Sequence, residues 1–489
     1  MLKKPLLLVL LILWSTPLFA QSVDTAWVRV YNGLANYWDE PRAMKVNASG
    51  NVYVSGICDA GAYLTIKYDQ AGNELWVRRY SAPGRTGDVP SDLALDSCGN
   101  VYVTGHSYDM EGGTGTNYLT LKYDPSGNEL WAKQYNGYQA YNDRAQAIAV
   151  NDSGHVYVTG HTSSPERSND YATIKYDQDG NELWVRGYNG PGNSTDEAYA
   201  IALDRSGNVY VTGSSSGGIT SMDYTTVKYD GSGNELWVRR YDGSEYSPDY
   251  AHAIATDDFD NVYVTGSSGT IKYTAGGDSL WFGSWGGRHM LIDTWGNIYV
   301  ATASGGDYRL VKYCPSGDTA WIRTYNGPAE DYDMVADIAL DRLGNVYVTG
   351  TSRGTGTQED YATVKYDPDG NEVWVQRYNG PLGMEEGGRG VGVDSMGNVY
   401  VTGFSWYSDM TGYDYVTVKY VQFLRADVNT SGEVNIVDAV YLVNYLFKSG
   451  AAPLPVPIVG DATCDSNVDI NDVIYLINYL FKGGPAPCI

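Results

Sequence analysis

Residues 207–213 read Gly-Asn-Val-Tyr-Val-Thr-Gly, and phrases of this kind recur along most of the 489-residue chain. The tyrosine of the phrase stands at eight positions, mostly 48 to 55 residues apart: 53, 102, 157, 210, 263, 299, 347 and 400. A second phrase, Glu-Leu-Trp-Val-Arg at 182–186, has counterparts whose tryptophans stand at 76, 131, 184, 237, 281, 321 and 374. Self-similarity at a fixed period is the sequence signature of repeat architectures. The chain is therefore predicted to contain eight copies of one structural unit.

The N-terminal region supplies the one tryptophan strand that the repeats lack. Asp-Thr-Ala-Trp-Val-Arg at 24–29 matches Asp-Thr-Ala-Trp-Ile-Arg at 318–323 almost letter for letter, whereas the last repeat stops at Tyr420 without such a strand. We therefore predict that Trp27–Tyr31 pairs with the strand around Tyr415–Tyr420 and closes a ring.

Each unit contains four runs that alternate between apolar and polar residues. In the third unit they lie at 145–150, 156–159, 171–176 and 182–188. Such alternation predicts β-strands, and four-stranded sheets repeated radially form a β-propeller. The predicted fold class is therefore all-β, an eight-bladed β-propeller over 21–422 that the N-terminal strand closes. The tyrosine and tryptophan phrases resemble the SBBP-type β-propeller repeat family over this same range.

The composition narrows the range of partners. Acidic residues number 58 and basic residues 33, which gives a net charge of −25. Phosphate binding needs clustered Lys and Arg, so a nucleic-acid groove is disfavoured, and an anionic membrane surface is disfavoured for the same reason.

The first twenty residues have the pattern of a secretory signal peptide. Lys3 and Lys4 begin it, a mostly Leu run follows at 5–14, and Ala20 ends a stretch of small and mixed residues. The apolar run is short for a membrane span. We expect cleavage after Ala20 and a secreted mature protein, periplasmic or released; an uncleaved anchor is the alternative.

Tight turns of the form Asp-x-x-Gly-Asn join the first strand to the second and the third to the fourth, as at 204–208 and 124–128. Asp caps such a turn, and Gly supplies its positive φ. The turn at 177–181 has some likeness to a calcium loop, but its regular hairpin position favours the turn interpretation. The longer variable connections, such as 107–117, then share the opposite face of the ring, which we call the loop face. Variable loops on a rigid scaffold are where binding usually resides.

An acidic residue recurs on the loop face just before the first strand of each blade. Trp285 replaces it in the sixth unit, and the other seven units have Asp39, Asp88, Asp143, Asp196, Asp249, Asp333 and Glu386. The preferred interpretation is that each carboxylate accepts backbone N–H bonds and fixes its loop. The functional alternative is a channel mouth that attracts cations or binds calcium. His106 and His161, which directly follow a Thr-Gly, are interpreted as ordinary polar residues at the start of loops on this face.

A lysine also recurs once per unit, and in several units a glutamate follows across the hairpin, as with Lys67 and Glu74. We interpret these as cross-strand ion pairs and the tryptophan strands as packing between blades.

The chain from 423 to 489 differs in kind. Two segments have the ligand spacing of an EF-hand loop at positions 1, 3, 5, 7, 9 and 12. The first consists of Asp427, Asn429, Ser431, Glu433 (through its backbone carbonyl), Asn435 and Asp438; the second consists of Asp461, Thr463, Asp465, Asn467, Asp469 and Asp472. Each runs into a predicted helix of nearly the same sequence, at 440–447 and 474–481. This duplicated loop-helix arrangement resembles a type I dockerin.

The dockerin resemblance implies calcium as the cofactor and a cohesin-like or other surface protein as the docking partner. Where dockerins recognise cohesin, this chain has Ile436-Val437 and Ile470-Asn471. These pairs differ from the Ser/Thr pairs common in cellulosomal dockerins, which puts a cohesin partner in doubt. Cys464 and Cys488 bracket the second loop-helix unit and are the expected disulfide.

Three classes of function fit these observations. The preferred one is a secreted, non-enzymatic binding or surface-assembly protein, with the loop face as a ligand platform, for a glycan among other ligands, and the dockerin-like module as a calcium-dependent docking unit. The second is a component of extracellular polysaccharide degradation, either a glycosidase or its accessory subunit. The third is a quinoprotein-like dehydrogenase, whose tryptophan motif the Asp-x-x-Gly-Asn-Glu-Leu-Trp phrase resembles; the adjacent cysteine pair often found beside the quinone is missing.

Overall fold

The computed structural model describes residues 22–34, 38–59, 61–83, 87–109, 115–137, 141–164, 167–218, 221–243, 247–408, 412–423, 426–429, 434–455, 457–465, 467–482 and 487. The predicted signal peptide at 1–20 lies outside the described residues. The chain divides into two compact units, one of Thr25–Tyr420 and one of Val421–Ile489 together with Met1–Asp24.

The strands form eight four-stranded sheets, the blades. Strand β1 (Ser22–Tyr31) is the first strand among the described residues and belongs to the last blade. Blade 1 consists of β2 (Glu40–Val46), β3 (Val52–Cys58), β4 (Ala62–Tyr68) and β5 (Glu74–Tyr80). Blade 2 consists of β6 (Gly87–Leu95), β7 (Val101–Asp109), β8 (Gly115–Tyr123) and β9 (Glu129–Tyr135). Blade 3 consists of β10 (Asp143–Val150), β11 (Val156–Ser164), β12 (Arg167–Tyr176) and β13 (Glu182–Tyr188). Blade 4 consists of β14 (Asp196–Leu203), β15 (Val209–Ser216), β16 (Met222–Tyr229) and β17 (Glu235–Tyr241).

The second half of the ring repeats this pattern. Blade 5 consists of β18 (Ala251–Thr256), β19 (Val262–Gly266), β20 (Gly269–Tyr273) and β21 (Ser279–Gly283). Blade 6 consists of β22 (His289–Ile292), β23 (Ile298–Ser304), β24 (Asp307–Tyr313) and β25 (Thr319–Tyr325). Blade 7 consists of β26 (Asp333–Leu340), β27 (Val346–Arg353), β28 (Glu359–Tyr366) and β29 (Glu372–Tyr378). Blade 8 consists of β30 (Glu386–Val393), β31 (Val399–Ser408), β32 (Gly412–Phe423) and the N-terminal β1.

The first strand of every blade contacts the first strands of both neighbouring blades, and β2 contacts β30, so these eight strands surround a central channel. The predicted eight-bladed β-propeller is thereby confirmed. Its hydrophobic core lies between blades: Tyr53 and Trp76 of blade 1, for example, share one cluster with Val103, Leu121 and Tyr123 of blade 2. Burial of such side chains contributes roughly 1.5–3 kcal/mol each.

At six of the eight boundaries between described blades, neighbouring blades are also joined by a shared carbonyl, which accepts from a tryptophan and a lysine of the preceding blade. The indole N–H of Trp76 and the ammonium of Lys67 both donate to the carbonyl oxygen of Pro125, in the third-to-fourth turn of blade 2, at 3.1 and 2.8 Å. The ammonium also lies 5.1 Å from the ring centroid of Tyr53. The expected Lys67–Glu74 ion pair is therefore wrong. In the register of this hairpin Trp76 lies opposite Lys67, and Glu74 lies opposite Tyr68.

The N-terminal strand completes blade 8, as predicted. Strand β1 lies beside β32, and Trp27 and Lys419 both donate to the carbonyl oxygen of Gln70 in blade 1, each at 3.1 Å. The hydroxyl of Tyr415 donates across the same boundary to Ile57 at 3.2 Å. The first and last blades are therefore joined by the same kind of contact as blades 1 and 2.

The C-terminal unit contains helices α1 (Ile436–Lys448) and α2 (Ile470–Lys482) and a short 3-10 turn at Pro457–Gly460. Asn435 and Asp438 form a capping box at the start of α1, and Leu442 and Leu476 are fully buried in the unit's core. The two helices predicted from the sequence are thus present. No helix in the described part of the chain has both the length and the hydropathy that a membrane span requires.

The closing strand offers a direct test of the ring. Removing residues 21–33 exposes the unpaired edge of β32 and removes the Trp27 contacts, and a Trp→Ala change alone typically costs about 3–5 kcal/mol. We expect the truncated protein to melt several degrees below a Trp184→Ala variant, which loses the equivalent tryptophan inside the ring but keeps every strand. A truncated protein that melts like the parent would refute closure by β1.

Candidate functional site

The turns of the form Asp-x-x-Gly-Asn are occupied by their own backbone. Asp177 Oδ1 accepts hydrogen bonds from the amides of Asp179 and Asn181 at 2.9 and 2.8 Å, and Gly180 supplies the positive φ of 79°. The turn interpretation of this segment is confirmed, and its likeness to a calcium loop is superficial.

The seven recurring acids are buried. Asp196 illustrates their contacts: Oδ2 accepts from the amide of Gly190 at 2.7 Å, and Oδ1 accepts from the amide of Ser216 at 3.1 Å. An amide six residues earlier also donates to Asp39, Asp88, Asp143, Asp249 and Asp333. These are the contacts of the loop-fixing interpretation. The cation-attracting mouth stays a prediction.

Burial changes the acidity of several of these carboxyls because it disfavours the charged form. It raises the pKa of Asp39, Asp143 and Asp196 and raises the pKa of Glu386 to about 7. The hydrogen bond from Ser405 and the amide of Gly380 oppose the shift at Glu386 without cancelling it.

An aromatic cluster lies on the loop face where blade 8 meets blade 1. The ring centroid of Tyr413 is 5.5 Å from that of Trp38, 4.8 Å from that of Phe404 and 5.1 Å from that of Trp406. Trp406 lies opposite Tyr413 in the β31–β32 register, and the Tyr413 carbonyl accepts from the amide of Asp39, which holds the Trp38 segment in place. Trp38 is 60 % exposed, so one ring of the cluster is open to solvent.

Charged side chains continue this surface toward the channel. Arg389 donates to Glu40 through Nε at 3.0 Å, and its guanidinium carbon lies 4.7 Å from the centroid of the Phe404 ring. Arg42 pairs with the same Glu40 at 3.0 Å. The register of β2 shifts at Arg42, and the register of β30 shifts at Arg389. Each shift is a β-bulge, which changes the direction of the side chain at that position. Tyr413 donates to Glu385, so a second carboxylate borders the aromatic rings.

His106 and His161 are not loop residues, contrary to our expectation. Each lies inside a strand, β7 and β11 respectively, and their side chains are 8 % and 7 % exposed. His161 lies close enough to His106 to lower its pKa, and Arg144 on β10 lowers the pKa of both histidines. Burial and the neighbouring Arg144 lower the pKa of His106 to about 4, so this ring is neutral at neutral pH.

The channel contains a cavity of about 800 Å³, and its polar lining was not predicted from the sequence. Asp92 and Asp337 each accept the amide of the next blade's first strand at 3.0 Å, from Ile148 and Val391. His289 Nδ1 lies 4.0 Å from Asp337 Oδ1. At the position of Asp92 four other blades have alanine, namely Ala43, Ala147, Ala200 and Ala253. An aspartate where four other repeats have alanine is the sequence feature that could have identified these residues.

Loop one of the C-terminal unit brings Asp427 and Asp438 together. Asp438 Oδ2 accepts the amide of Asn435 at 2.8 Å, whereas its buried Oδ1 has no hydrogen-bond partner. Burial and the charge of Asp427 raise the pKa of Asp438. Asn429 is described, and Ser431 and Glu433 lie outside the described residues.

Loop two brings Asp461 and Asp472 together around Thr463. Both carboxylates are buried, and the Thr463 hydroxyl lies 3.3 Å from Asp461 Oδ1 and 3.1 Å from Asp472 Oδ1. Asp469 donates its amide to Asp472 at 2.8 Å, and Asp465 donates its amide to Asp461 at 3.1 Å; Asn467 donates to Asp465. Within the described residues, no group of three or more His, Cys, Asp or Glu side chains is arranged to hold a metal ion.

The cysteines fall into two groups. Cys58, Cys98 and Cys314 are free thiols, and burial raises the pKa of the Cys58 thiol to about 12. Cys464 is in a disulfide. Its expected partner, Cys488, lies outside the described residues, so the pairing stays a prediction.

Glu386 predicts a pH-dependent stability. Its folded-state pKa of about 7 lies above the ordinary value of 4.5, so its contribution is fully present below pH 4.5 and is lost as the pH rises through 7. We therefore compare the unfolding free energy of the parent with that of Glu386→Gln at each pH. The value for the parent should fall relative to that of the variant by on the order of 3 kcal/mol across this window. Urea titrations at several pH values measure it. Glu182→Gln, at an exposed position, is the control, and equal profiles for all three proteins would contradict the assignment.

The family model described as "Beta-propeller repeat", SBBP, matches residues 183–219, 236–270 and 323–356. Each match begins in the fourth strand of one blade and continues through the first two strands of the next. SBBP repeats are therefore present in the propeller. No curated protein matches the sequence.

One solved structure with some likeness is a protein of unknown function from Bacteroides caccae, which is 16 % identical and has a TM-score of 0.33. The aligned region covers 55 % of this chain and 92 % of that protein. A puromycin hydrolase, 11 % identical with a TM-score of 0.43, covers 78 % of this chain and 61 % of its own. A mutant puromycin hydrolase in complex with PGG is 12 % identical with a TM-score of 0.42 and covers 75 % and 58 %. At these values the likenesses do not identify an activity for this chain.

Proposed function

We propose that the chain is a secreted, non-enzymatic glycan-binding protein. Its loop face binds the glycan, and its C-terminal unit is a dockerin-like module that docks to a surface protein, cohesin-like or other, when it holds calcium. The observation that carries the glycan proposal is the aromatic cluster of Trp38, Phe404, Trp406 and Tyr413.

The chemistry of the cluster suits a sugar. An exposed aromatic ring offers a large, rigid apolar face on which the C–H face of a pyranose packs. Polar groups at the edge of such a surface fix orientation, and here Arg389, Glu40 and Glu385 border the rings. Trp38 is exposed while its neighbours are half-buried or buried, so the proposed contact surface is open without rearrangement of the blade.

A glycosidase is the second candidate, on one specific observation. Burial and the neighbouring charge of Glu385 raise the pKa of Glu359, and glycoside hydrolysis usually employs two carboxyl groups, of which the general acid has a raised pKa. Glu385 is also the carboxylate that accepts the Tyr413 hydroxyl. We favour binding because this hydrogen bond gives Glu385 a role in holding the aromatic cluster. The quinoprotein alternative gains no support from these contacts.

The calcium proposal rests on the buried carboxylates of the two loops. Asp438 has an oxygen without a hydrogen-bond partner, and Asp461 and Asp472 converge on one hydroxyl. Buried anions placed side by side repel each other, and a divalent cation would offset that repulsion and tie each loop to its helix. In loop one, the ligand set would be completed by Asp427, Asn429, Ser431, the Glu433 carbonyl and Asn435. In loop two, it would be completed by Thr463, Asp465, Asn467 and Asp469.

A substitution at Trp38 tests glycan binding. We expect Trp38→Ala to weaken binding to glycans retained on an array by at least tenfold, because the open stacking surface is lost. Trp295→Ala is the matched control: Trp295 is also 60 % exposed, but it lies in a tight turn on the opposite face. Equal binding by both variants would contradict the proposal. Sugar release by the parent that Glu385→Gln abolishes would favour the glycosidase instead.

Calorimetry with calcium tests the C-terminal loops in the full chain. We expect one calcium ion in each loop of the parent, and the loss of one site in Asp438→Asn and of the other in Asp472→Asn. Asp177→Asn, in a propeller turn with superficial likeness to a calcium loop, should leave the stoichiometry unchanged. Chelation should also reduce the helical circular dichroism signal. A parent that binds no calcium, or helices unaffected by chelator, would contradict the proposal.

A further inference from the structure

A second polar group lies on the loop face across blades 2 and 3, formed by His106, Tyr108, Arg144 and His161. Arg144 pairs with His161 in the β10–β11 register. Arg144 Nη2 donates to the Tyr108 hydroxyl at 3.2 Å, and the ring centroids of His106 and Tyr108 are 5.2 Å apart. We call these four residues the blade 2–3 cluster.

The blade 2–3 cluster concentrates unpaired nitrogen atoms. Among the described residues, four buried side-chain nitrogens have no hydrogen-bond partner, and three of them are His106 Nδ1, His161 Nδ1 and Arg144 Nε. A buried polar group left unpaired costs roughly 1–3 kcal/mol, so such a group in a native structure calls for a partner. Three of the four nitrogens thus belong to one group of neighbouring side chains, in which the Arg144 guanidinium is a donor without an acceptor at Nε.

The fold does not require basic residues here, as the other blades show. At the Arg144 position the chain has Glu40, Val89, Glu197, Met334 and Gly387, each opposite the counterpart of His161 in its own blade. At the histidine position it has Ile57, Ser214, Thr351 and Phe404. Blades with these residues still pair first and second strands in the same register. The basic residues of blades 2 and 3 therefore serve a purpose other than strand pairing.

The neighbouring charges leave Arg144 available. Glu197, the acid beside His161, already accepts from Asn169 and from Tyr199, at 2.5 and 2.8 Å. Glu40 is shared by Arg42 and Arg389. In the described part of the chain, no carboxylate oxygen lies within the 4.0 Å of an ion pair with Arg144. A guanidinium recognises carboxylate and sulfate oxygens through charge-assisted hydrogen bonds, and a neutral imidazole adds one N–H donor.

We propose that the blade 2–3 cluster is an anion subsite that takes the carboxylate or sulfate substituent of a glycan. The inference rests on the proposed glycan binding and specifies its ligand as an acidic glycan. Arg42, on the blade between the aromatic cluster and blade 2, influences the charge of His106, so basic side chains extend from one group toward the other. A chain of several sugars would contact the aromatic rings with one residue and the blade 2–3 cluster with another.

The test compares three oligosaccharides of equal length by calorimetry on the full chain at low ionic strength: a neutral cello-oligosaccharide, an oligogalacturonate and a sulfated galactan oligosaccharide. We expect at least one acidic probe to bind tenfold or more tightly than the neutral one, and Arg144→Gln to remove that preference. Arg353→Gln is the matched control, since Arg353 pairs with Asp331 at the exposed edge of the same face. Which acidic probe responds distinguishes carboxylate from sulfate. Equal binding of all three probes, or an unchanged preference in Arg144→Gln, would overturn the anion subsite while leaving glycan binding intact.

A second measurement keeps the subsite falsifiable if no oligosaccharide binds, an outcome that would defeat the proposed function. Inorganic sulfate should raise the melting temperature of the parent and of Arg353→Gln but have a smaller effect on Arg144→Gln and on a His106→Phe, His161→Phe double variant. Equal shifts in all four proteins would overturn the subsite, because the unpaired nitrogens would then have no anion to bind. Melting curves without sulfate verify that each variant is folded.

Discussion

The ring depends on one hydrogen-bonded contact between blades, the backbone carbonyl in a third-to-fourth turn that accepts both an indole N–H and an ammonium from the preceding blade. An ammonium removed from water needs such an acceptor, and burial lowers the pKa of Lys67 and Lys175 where the acceptor is neutral. The Asp and Gly of the turn fix its conformation, and the turn positions the carbonyl. The carbonyl in turn holds its blade against the preceding one. This repeated contact links the turn of one blade to the packed tryptophan and lysine of the blade before it.

The same contact explains what was predictable from the sequence. The blade number, the turns and closure by Trp27 could be predicted because their determinants recur in every unit or match another unit closely. The Lys67–Glu74 pair was a wrong inference, since a register shift beside Lys67 places Trp76 opposite it. The channel residues Asp92 and Asp337 occupy one repeat position in only two blades. The aromatic cluster around Tyr413 forms only when blade 8 brings its rings against Trp38, which precedes blade 1. A periodic sequence pattern does not indicate which residues of different blades become neighbours in the fold.

The two surfaces proposed for binding lie on loops that are held by the same kind of hydrogen bond in several blades. Buried carboxylates such as Asp143 and Asp196 fix the loops by accepting their amides, so the side chains between them are free to differ from blade to blade. Trp38 and Arg144 are two results of that freedom, one apolar and one charged. The carboxylates of the C-terminal unit have different neighbours. Asp438 and Asp472 are buried beside other acids and not only beside hydrogen-bond donors.

Closure by the N-terminal strand also determines the order of events during synthesis. The contacts that Tyr415 and Lys419 of blade 8 make with blade 1 join residues 358 and 349 positions apart, among the most non-local contacts a chain of this length can make. At a translation rate of roughly 5–20 residues per second, β1 waits on the order of tens of seconds for β32 to be made. Blades 1 to 7 have all their strands before that time, so they can fold in sequence while the first strand keeps an unsatisfied edge. The nascent chain is therefore most exposed to mispairing at its oldest strand, and a chaperone that shields the N terminus until residue 420 has been made would protect the whole ring.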